Sequence, residues 1–120
     1  MNVKPKVFIT RVIPEEALNM IKEVCDVKIW PEEEVPVPRH ILEKEIEDVD
    51  GLYSLLSDPI DESILARGKK LKVVSNMAVG YNNIDVEAAT KRNIAVTNTP
   101  GVLTETTADL TFALLMMTAR

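Results

Sequence analysis

Residues 71–98 read LKVVSNMAVGYNNIDVEAATKRNIAVTN. Leu71–Asn76 is a short, nearly all-apolar run rich in β-branched residues, the pattern of a strand covered on both faces. The loop Met77-Ala78-Val79-Gly80-Tyr81-Asn82-Asn83 follows it. Asp85 then stands where a helix N-cap belongs, ahead of an amphipathic stretch running to Arg92, because its carboxylate can accept from first-turn N–H groups that have no helical partner. Ile94–Asn98 is a second strand. Strand, helix and strand at this spacing make a βαβ unit, which lays the two strands parallel with a right-handed crossover.

The same alternation extends toward the N-terminus. Lys6–Thr10 (KVFIT) reads as a strand, and Pro14–Val24 as a helix with Pro14 in the tolerant first turn. Ala17, Leu18, Ile21, Val24 and Cys25 recur at helical spacing on one face of it. Val27–Trp30 is a strand, Pro38–Glu47 a helix carrying Ile41, Leu42 and Ile46, Gly51–Ser54 a strand, and Asp61–Arg67 a helix capped by Asp61. Five strands joined by helical crossovers predict an α/β domain over residues 1–100: a flavodoxin-like, five-stranded parallel sheet of order 2-1-3-4-5 with helices on both faces.

Residues 101–120 have a different character. From Thr104 the chain starts polar and becomes almost wholly apolar through Leu110, Phe112, Leu114, Leu115, Met116 and Met117. A helix apolar around its circumference belongs inside something. Residues 101–120 are therefore expected to form an apolar inter-domain helix crossing toward a neighbour outside this chain. Without that neighbour, self-association through residues 104–120, for instance as a dimer, is the expected way to cover it.

Composition narrows the function classes. The 120 residues suit one core, and 46% apolar with 28% charged residues is ordinary for a water-soluble domain. A net charge of −5, with no basic cluster longer than Lys69-Lys70, argues against a nucleic-acid partner. Glu32-Glu33-Glu34 reads as a solvated loop. Cys25 stands alone, which excludes an internal disulfide and a cysteine metal site, and fits a buried thiol in a reducing cytoplasm. No signal-peptide pattern opens the chain, and no apolar run reaches the roughly 18 residues of a membrane span. Neither a membrane nor a metal is expected as a partner.

Ligands of such sheets gather beyond the carboxyl ends of the strands. That rule selects residues 10–14, 54–58, 76–82 and 98–104. In residues 77–83, Gly80 permits close backbone approach or a positive φ, and free N–H groups there could hold a carboxylate; an ordinary βα turn accounts for the same residues. The segment Thr97-Asn98-Thr99-Pro100-Gly101 is a Pro-Gly turn before Thr104, a plausible helix N-cap; it reads first as a plain capped turn, with an anion-facing helix start as the less favoured alternative. Arg11 lies near the same edge, where contact with an anion is the less favoured of its readings. His40, the one histidine, reads as a surface residue rather than an acid catalyst. The glycines stand at 51, 68, 80 and 101, so a G-x-G-x-x-G dinucleotide fingerprint, a P-loop and a nucleophile elbow are all absent.

The stretch NMAVGYNNIDVEAATKRNIAVTNTPGVLTETTADLTFALLM, residues 76–116, closely resembles the D-isomer-specific 2-hydroxyacid dehydrogenases. GLYSLLSDPID (51–61) and VFITRVIPEEAL (7–18) are similar to the glyoxylate/hydroxypyruvate reductase branch. The likeness covers essentially the entire chain. It implies the substrate domain of a two-domain NAD- or NADP-dependent oxidoreductase, ending on the helix that crosses to the coenzyme domain. The catalytic Arg, Glu and His of the family would lie beyond Arg120, so the isolated chain is expected to be inactive and not to bind the dinucleotide tightly. By the same resemblance, Val79 and Gly80, with Ala78 adjoining, would cradle the substrate carboxylate. Leu55 and Leu56 would wall the substrate, Thr104 would lie near the nicotinamide and phosphates, and Asp109 would be structural. The implied reaction is hydride transfer between nicotinamide and C2 of a 2-oxo or 2-hydroxy acid such as glyoxylate or hydroxypyruvate. The choice between NAD and NADP would belong to the coenzyme domain.

Two other classes compete. A phospho-signalling receiver needs acids after the first strand and an Asp after the third, where Thr10-Arg11-Val12-Ile13 and Ser54-Leu55-Leu56-Ser57 stand. A flavodoxin needs a hydroxyl- and Gly-rich loop after the first strand, which is also missing. The nearer alternative is a non-catalytic regulatory or assembly protein that keeps the dehydrogenase scaffold. A short natural product, an expressed domain and a truncated reading frame explain the length equally well.

Overall fold

The computed structural model describes residues 4–99. Five parallel strands form one sheet in the order β2-β1-β3-β4-β5: β1 Lys6–Ile9, β2 Asp26–Ile29, β3 Gly51–Ser54, β4 Val73–Asn76 and β5 Ala95–Thr97. The helices are α1 Glu15–Lys22, α2 Arg39–Glu45, α3 Glu62–Arg67 and α4 Val86–Lys91. The sheet order is the one the alternation of elements predicts. The expected inter-domain helix at 101–120, and Thr104 with it, lie outside the described residues.

Alternate strand residues face opposite ways, so each strand feeds two cores. Phe8, Leu52 and Val74 point into the larger one with Leu42 and Ile46, Ile64 and Leu65 of α3, and Ala88 and Ala89 of α4. Val7, Ile9, Tyr53 and Val73 point to the other, covered by Ala17 and Ile21 of α1 and by Cys25. Each fully buried aliphatic side chain contributes roughly 1.5–3 kcal/mol. Burial pushes the Cys25 thiol up from its ordinary value, with Asp26 adding to the effect.

Two capping predictions are met directly. Asp61 accepts from the Ile64 N–H at 3.1 Å and Asp85 from the Ala88 N–H at 2.9 Å. Other boundaries are tighter than the pattern suggests. The first helix stops at Lys22 rather than Val24, because Cys25 must already turn inward before β2 opens at Asp26. The second helix ends at Glu45 and tightens into a 3-10 turn over Ile46–Asp48. This turn seats Ile46 wholly inside the larger core.

Candidate functional site

At the carboxyl edge of the sheet the loops after β1, β3 and β4 are tied to one another. Asn76, the last residue of β4, is buried; its Nδ2 donates to the Asn83 Oδ1 and to the Gly80 carbonyl, both at 3.0 Å, and its Oδ1 accepts from Ser54 Oγ at 2.9 Å. Asn83 reaches across to the loop after β3, where its Nδ2 donates to the carbonyls of Leu55 at 3.1 Å and Asp58 at 2.8 Å. The Met77 N–H donates to the Ser54 carbonyl at 2.8 Å, and an isolated parallel bridge joins Ile60 to Ile84. The sequence expectation places Leu55 and Leu56 in one wall and Ala78, Val79 and Gly80 in a cradle. The two loops that carry them are stitched side by side.

The backbone of the cradle is turned by its carbonyls. The Ala78 carbonyl accepts from the Thr99 N–H at 3.0 Å, the Val79 carbonyl from Asn98 Nδ2 at 2.7 Å, and the Gly80 carbonyl from Asn76 Nδ2 at 3.0 Å. In a trans peptide the C=O and the following N–H point to opposite sides, and no cis bond occurs among the described residues. Fixing these three carbonyls therefore directs the N–H groups of Val79, Gly80 and Tyr81 the other way. None of the three donates to a backbone carbonyl among the described residues. Successive outward N–H groups are the means by which a backbone binds an anion.

Gly80 departs from one part of its sequence reading. Its φ lies outside the left-handed region, so no positive φ requires glycine here. A Cβ built on it would meet nothing within 4 Å. A side chain at Gly80 would enter open space.

The side chains around this loop differ in exposure. Leu56 is 55% exposed and Val79 65%, so both reach beyond the core, whereas Leu55 is half-buried and serves as the anchored end of its turn. Val12, after β1, and Tyr81 are exposed at the same edge. Beside the loop lies a depression of about 130 Å³ lined by Tyr81, Val86, Val96 and Asn98. Arg11 does not face outward as a free cation: Nη1 donates to the Glu33 carbonyl at 3.1 Å and Nη2 to Ser57 Oγ at 2.6 Å. His40 is exposed in the first turn of α2. Tyr53, completely buried under the sheet edge, donates its hydroxyl to Met77 Sδ at 2.9 Å, and burial raises its pKa.

A sequence model described as the catalytic domain of D-isomer-specific 2-hydroxyacid dehydrogenases matches residues 7–118. The chain belongs to this family. Among curated 2-hydroxyacid dehydrogenases, the glyoxylate reductase of Pyrococcus horikoshii is 53% identical over 98% of this chain and 35% of its own length. The chain thus spans about a third of the curated relatives it matches. Among solved structures, a Thermus thermophilus protein superposes with a TM-score of 0.73 at 41% identity, over 92% of this chain and 35% of its own. An NAD+-bound 3-phosphoglycerate dehydrogenase from Entamoeba histolytica superposes at 0.67 and 31% identity, over 82% of this chain and 34% of its own.

Members of this dehydrogenase family use a nicotinamide dinucleotide, and the described residues do not form a cradle for one. Gly51 opens β3, Gly68 caps α3 and Gly80 stands alone after β4, so no Gly-rich turn joins a strand to a helix. No group of three or more His, Cys, Asp or Glu side chains that could hold a metal occurs among the described residues. No described helix is long and apolar enough to cross a membrane.

Proposed function

We propose that this chain is the substrate-side part of an NAD(P)-dependent D-2-hydroxyacid dehydrogenase acting on a small 2-oxo acid of the glyoxylate or hydroxypyruvate type. The observation that carries the reading is the set of three carbonyls pinned by Thr99, Asn98 and Asn76, which aims the Val79, Gly80 and Tyr81 N–H groups outward. In this reading Val79 and Gly80, with Ala78 adjoining, receive the substrate carboxylate, and Leu55 and Leu56 cover the carbon chain. Glyoxylate is the substrate named for the Pyrococcus relative. Its two-carbon skeleton fits a backbone cradle with an apolar cover better than a long or cationic acid would. Residues 1–100 form the substrate domain and 101–120 the crossing helix, with Thr104 at the nicotinamide side.

The described residues hold the acid and orient it; the proton-transfer and redox groups come from elsewhere in the complete enzyme. Hydrogen bonds worth about 0.5–1.5 kcal/mol net each cannot hold a small acid tightly without a clamping cation, so binding by this chain is in the millimolar range or weaker. Titration of the 120-residue chain with oxalate, followed by NMR, tests the assignment. Amide shifts centred on residues 78–81 and 55–56 are expected. Shifts centred elsewhere overturn it. NADH oxidation in the presence of glyoxylate is expected to match the buffer blank, and turnover that tracks the protein overturns the division of labour.

A further inference from the structure

One side chain joins the wall loop to β1 while its backbone is held by the cradle loop. Asp58 is 1% exposed. Its Oδ2 accepts from Thr10 Oγ1 at the end of β1 and, at 2.9 Å, from the Leu55 N–H. Its backbone N–H donates to the Leu55 carbonyl at 3.0 Å, and its own carbonyl accepts from Asn83 Nδ2 at 2.8 Å. Beside it, Arg11 Nη2 donates to Ser57 Oγ, so the dipeptide Thr10-Arg11 is paired with the dipeptide Ser57-Asp58. Asp58 Oδ1 and Arg11 Nε are buried without a hydrogen-bond partner among the described residues, and both belong to this junction. Unpartnered buried polar atoms are uncommon in native proteins, and a buried carboxylate is costly. That cost falls where the turn carrying Leu56 is fixed to the strand beneath it.

We propose that Asp58 is a positioning residue that sets the gap between Leu56 and the Val79–Gly80 backbone, and through that gap the size of the 2-oxo acid admitted. The inference rests on the placement of the acid given under Proposed function. Leu56 rides on a turn anchored at Leu55 and at Asp58, and Asp58 is anchored in turn to Thr10, a wholly buried residue at the end of a central strand. With both ends fixed, the leucine presents one surface at one distance. With the Asp58 end released, it swings, and larger acids enter while small ones lose their cover.

The test compares the 120-residue chain with its Asp58→Ala, Asp58→Asn and Thr10→Val variants by NMR, using oxalate and 2-oxobutanoate as probes. Asp58→Ala and Thr10→Val are expected to shrink the preference for oxalate over 2-oxobutanoate by roughly tenfold, the scale of one lost hydrogen bond to a charged group. The Leu55 amide is expected to exchange faster and the Leu56 methyls to average, while the strand amides of Val73–Asn76 stay in place. Asp58→Asn keeps an oxygen for Thr10 and Leu55 and is expected to restore the preference to within about twofold. Where Asp58→Ala disturbs the strand amides as well, Thr10→Val, which removes one hydroxyl from a strand end, decides. Unaltered selectivity and Leu55 exchange in the variants overturn this inference alone. A wild-type chain that shows no shifts at residues 55–56 or 78–81 overturns the placement of the acid and this inference with it.

Discussion

Asn98 donates its side-chain amide to the carbonyl oxygen of Val79 at 2.7 Å, from the segment after β5 into the loop after β4. The bond fixes the Val79–Gly80 peptide plane, and with it the direction of the Gly80 N–H. Asn98 therefore governs a donor that it does not touch.

Removing that amide should loosen the cradle without unfolding the domain. Asn98→Ala deletes an exposed hydrogen bond, so its stability cost should stay near or below about 1 kcal/mol. Oxalate shifts at residues 78–81 should weaken several-fold. Urea denaturation and NMR titration of the same samples check both halves, and undiminished shifts in the variant count against the orienting role.

Gly80→Ala separates folding from binding in the opposite sense. The new Cβ meets nothing within 4 Å and no positive φ opposes it, so the fold should be unchanged or stabilised by about 0.4–1 kcal/mol through a less flexible unfolded chain. The same Cβ adds bulk within the loop whose N–H groups are proposed to hold the acid. Oxalate binding should fall sharply while the denaturation midpoint holds or rises, and equal binding to both proteins counts against the cradle.

Asn83→Ala should cost both stability and the site. It leaves the Leu55 and Asp58 carbonyls without their shared donor and Asn76 Nδ2 with the Gly80 carbonyl as its one remaining acceptor, a loss on the order of 1–3 kcal/mol. A lower urea midpoint, together with faster exchange of the Leu55 amide, is the expected pair of results.

Acid should remove one identifiable contribution to stability. The hydrogen bond from Arg39, at 2.9 Å, and those from the Ile64 and Ser63 N–H groups hold the Asp61 carboxyl below the ordinary carboxylate value. A depressed folded-state pKa stabilises the protein above the unfolded pKa, about 3.9. That stabilisation is lost as pH falls through the folded value. Both side chains of the pair are about half exposed, so solvent screening limits the effect to roughly 0.2–1 kcal/mol. Asp61→Asn keeps a capping oxygen but cannot ionise. Its stability measured from pH 6 down to pH 2 should fall less steeply than that of the wild type.

The apolar residues Leu110, Phe112, Leu114, Leu115, Met116 and Met117 should drive the 120-residue chain to self-associate. Light scattering over a concentration series should show mass rising with concentration. Replacing Leu114 and Met117 by Lys should bring it toward the monomer. A strict monomer at high concentration overturns this expectation.

The sequence by itself determined the sheet. Short apolar runs rich in β-branched residues read as strands covered on both faces, the Asp61 and Asp85 caps announce helices by local chemistry, and short crossovers leave few orders for five parallel strands. It also pointed to the two loops, because the carboxyl edge of such a sheet follows from its topology. The tertiary structure alone decided how those loops are tied together. Thr10 and Asp58 lie 48 residues apart, Leu55 and Asn83 28, and Val79 and Asn98 19. In the linear chain each is an ordinary polar or loop residue without periodicity. A hydrogen bond carries no signature in the sequence around either partner, and its existence depends on the register of strands that bring the two ends together. Arg11 shows the same limit: position alone offered it to an anion, and only the fold gave its guanidinium to Glu33 and Ser57. Hydrophobic burial is additive and local enough to be read along a chain, whereas directional polar contacts between distant loops exist only once the chain has closed on itself.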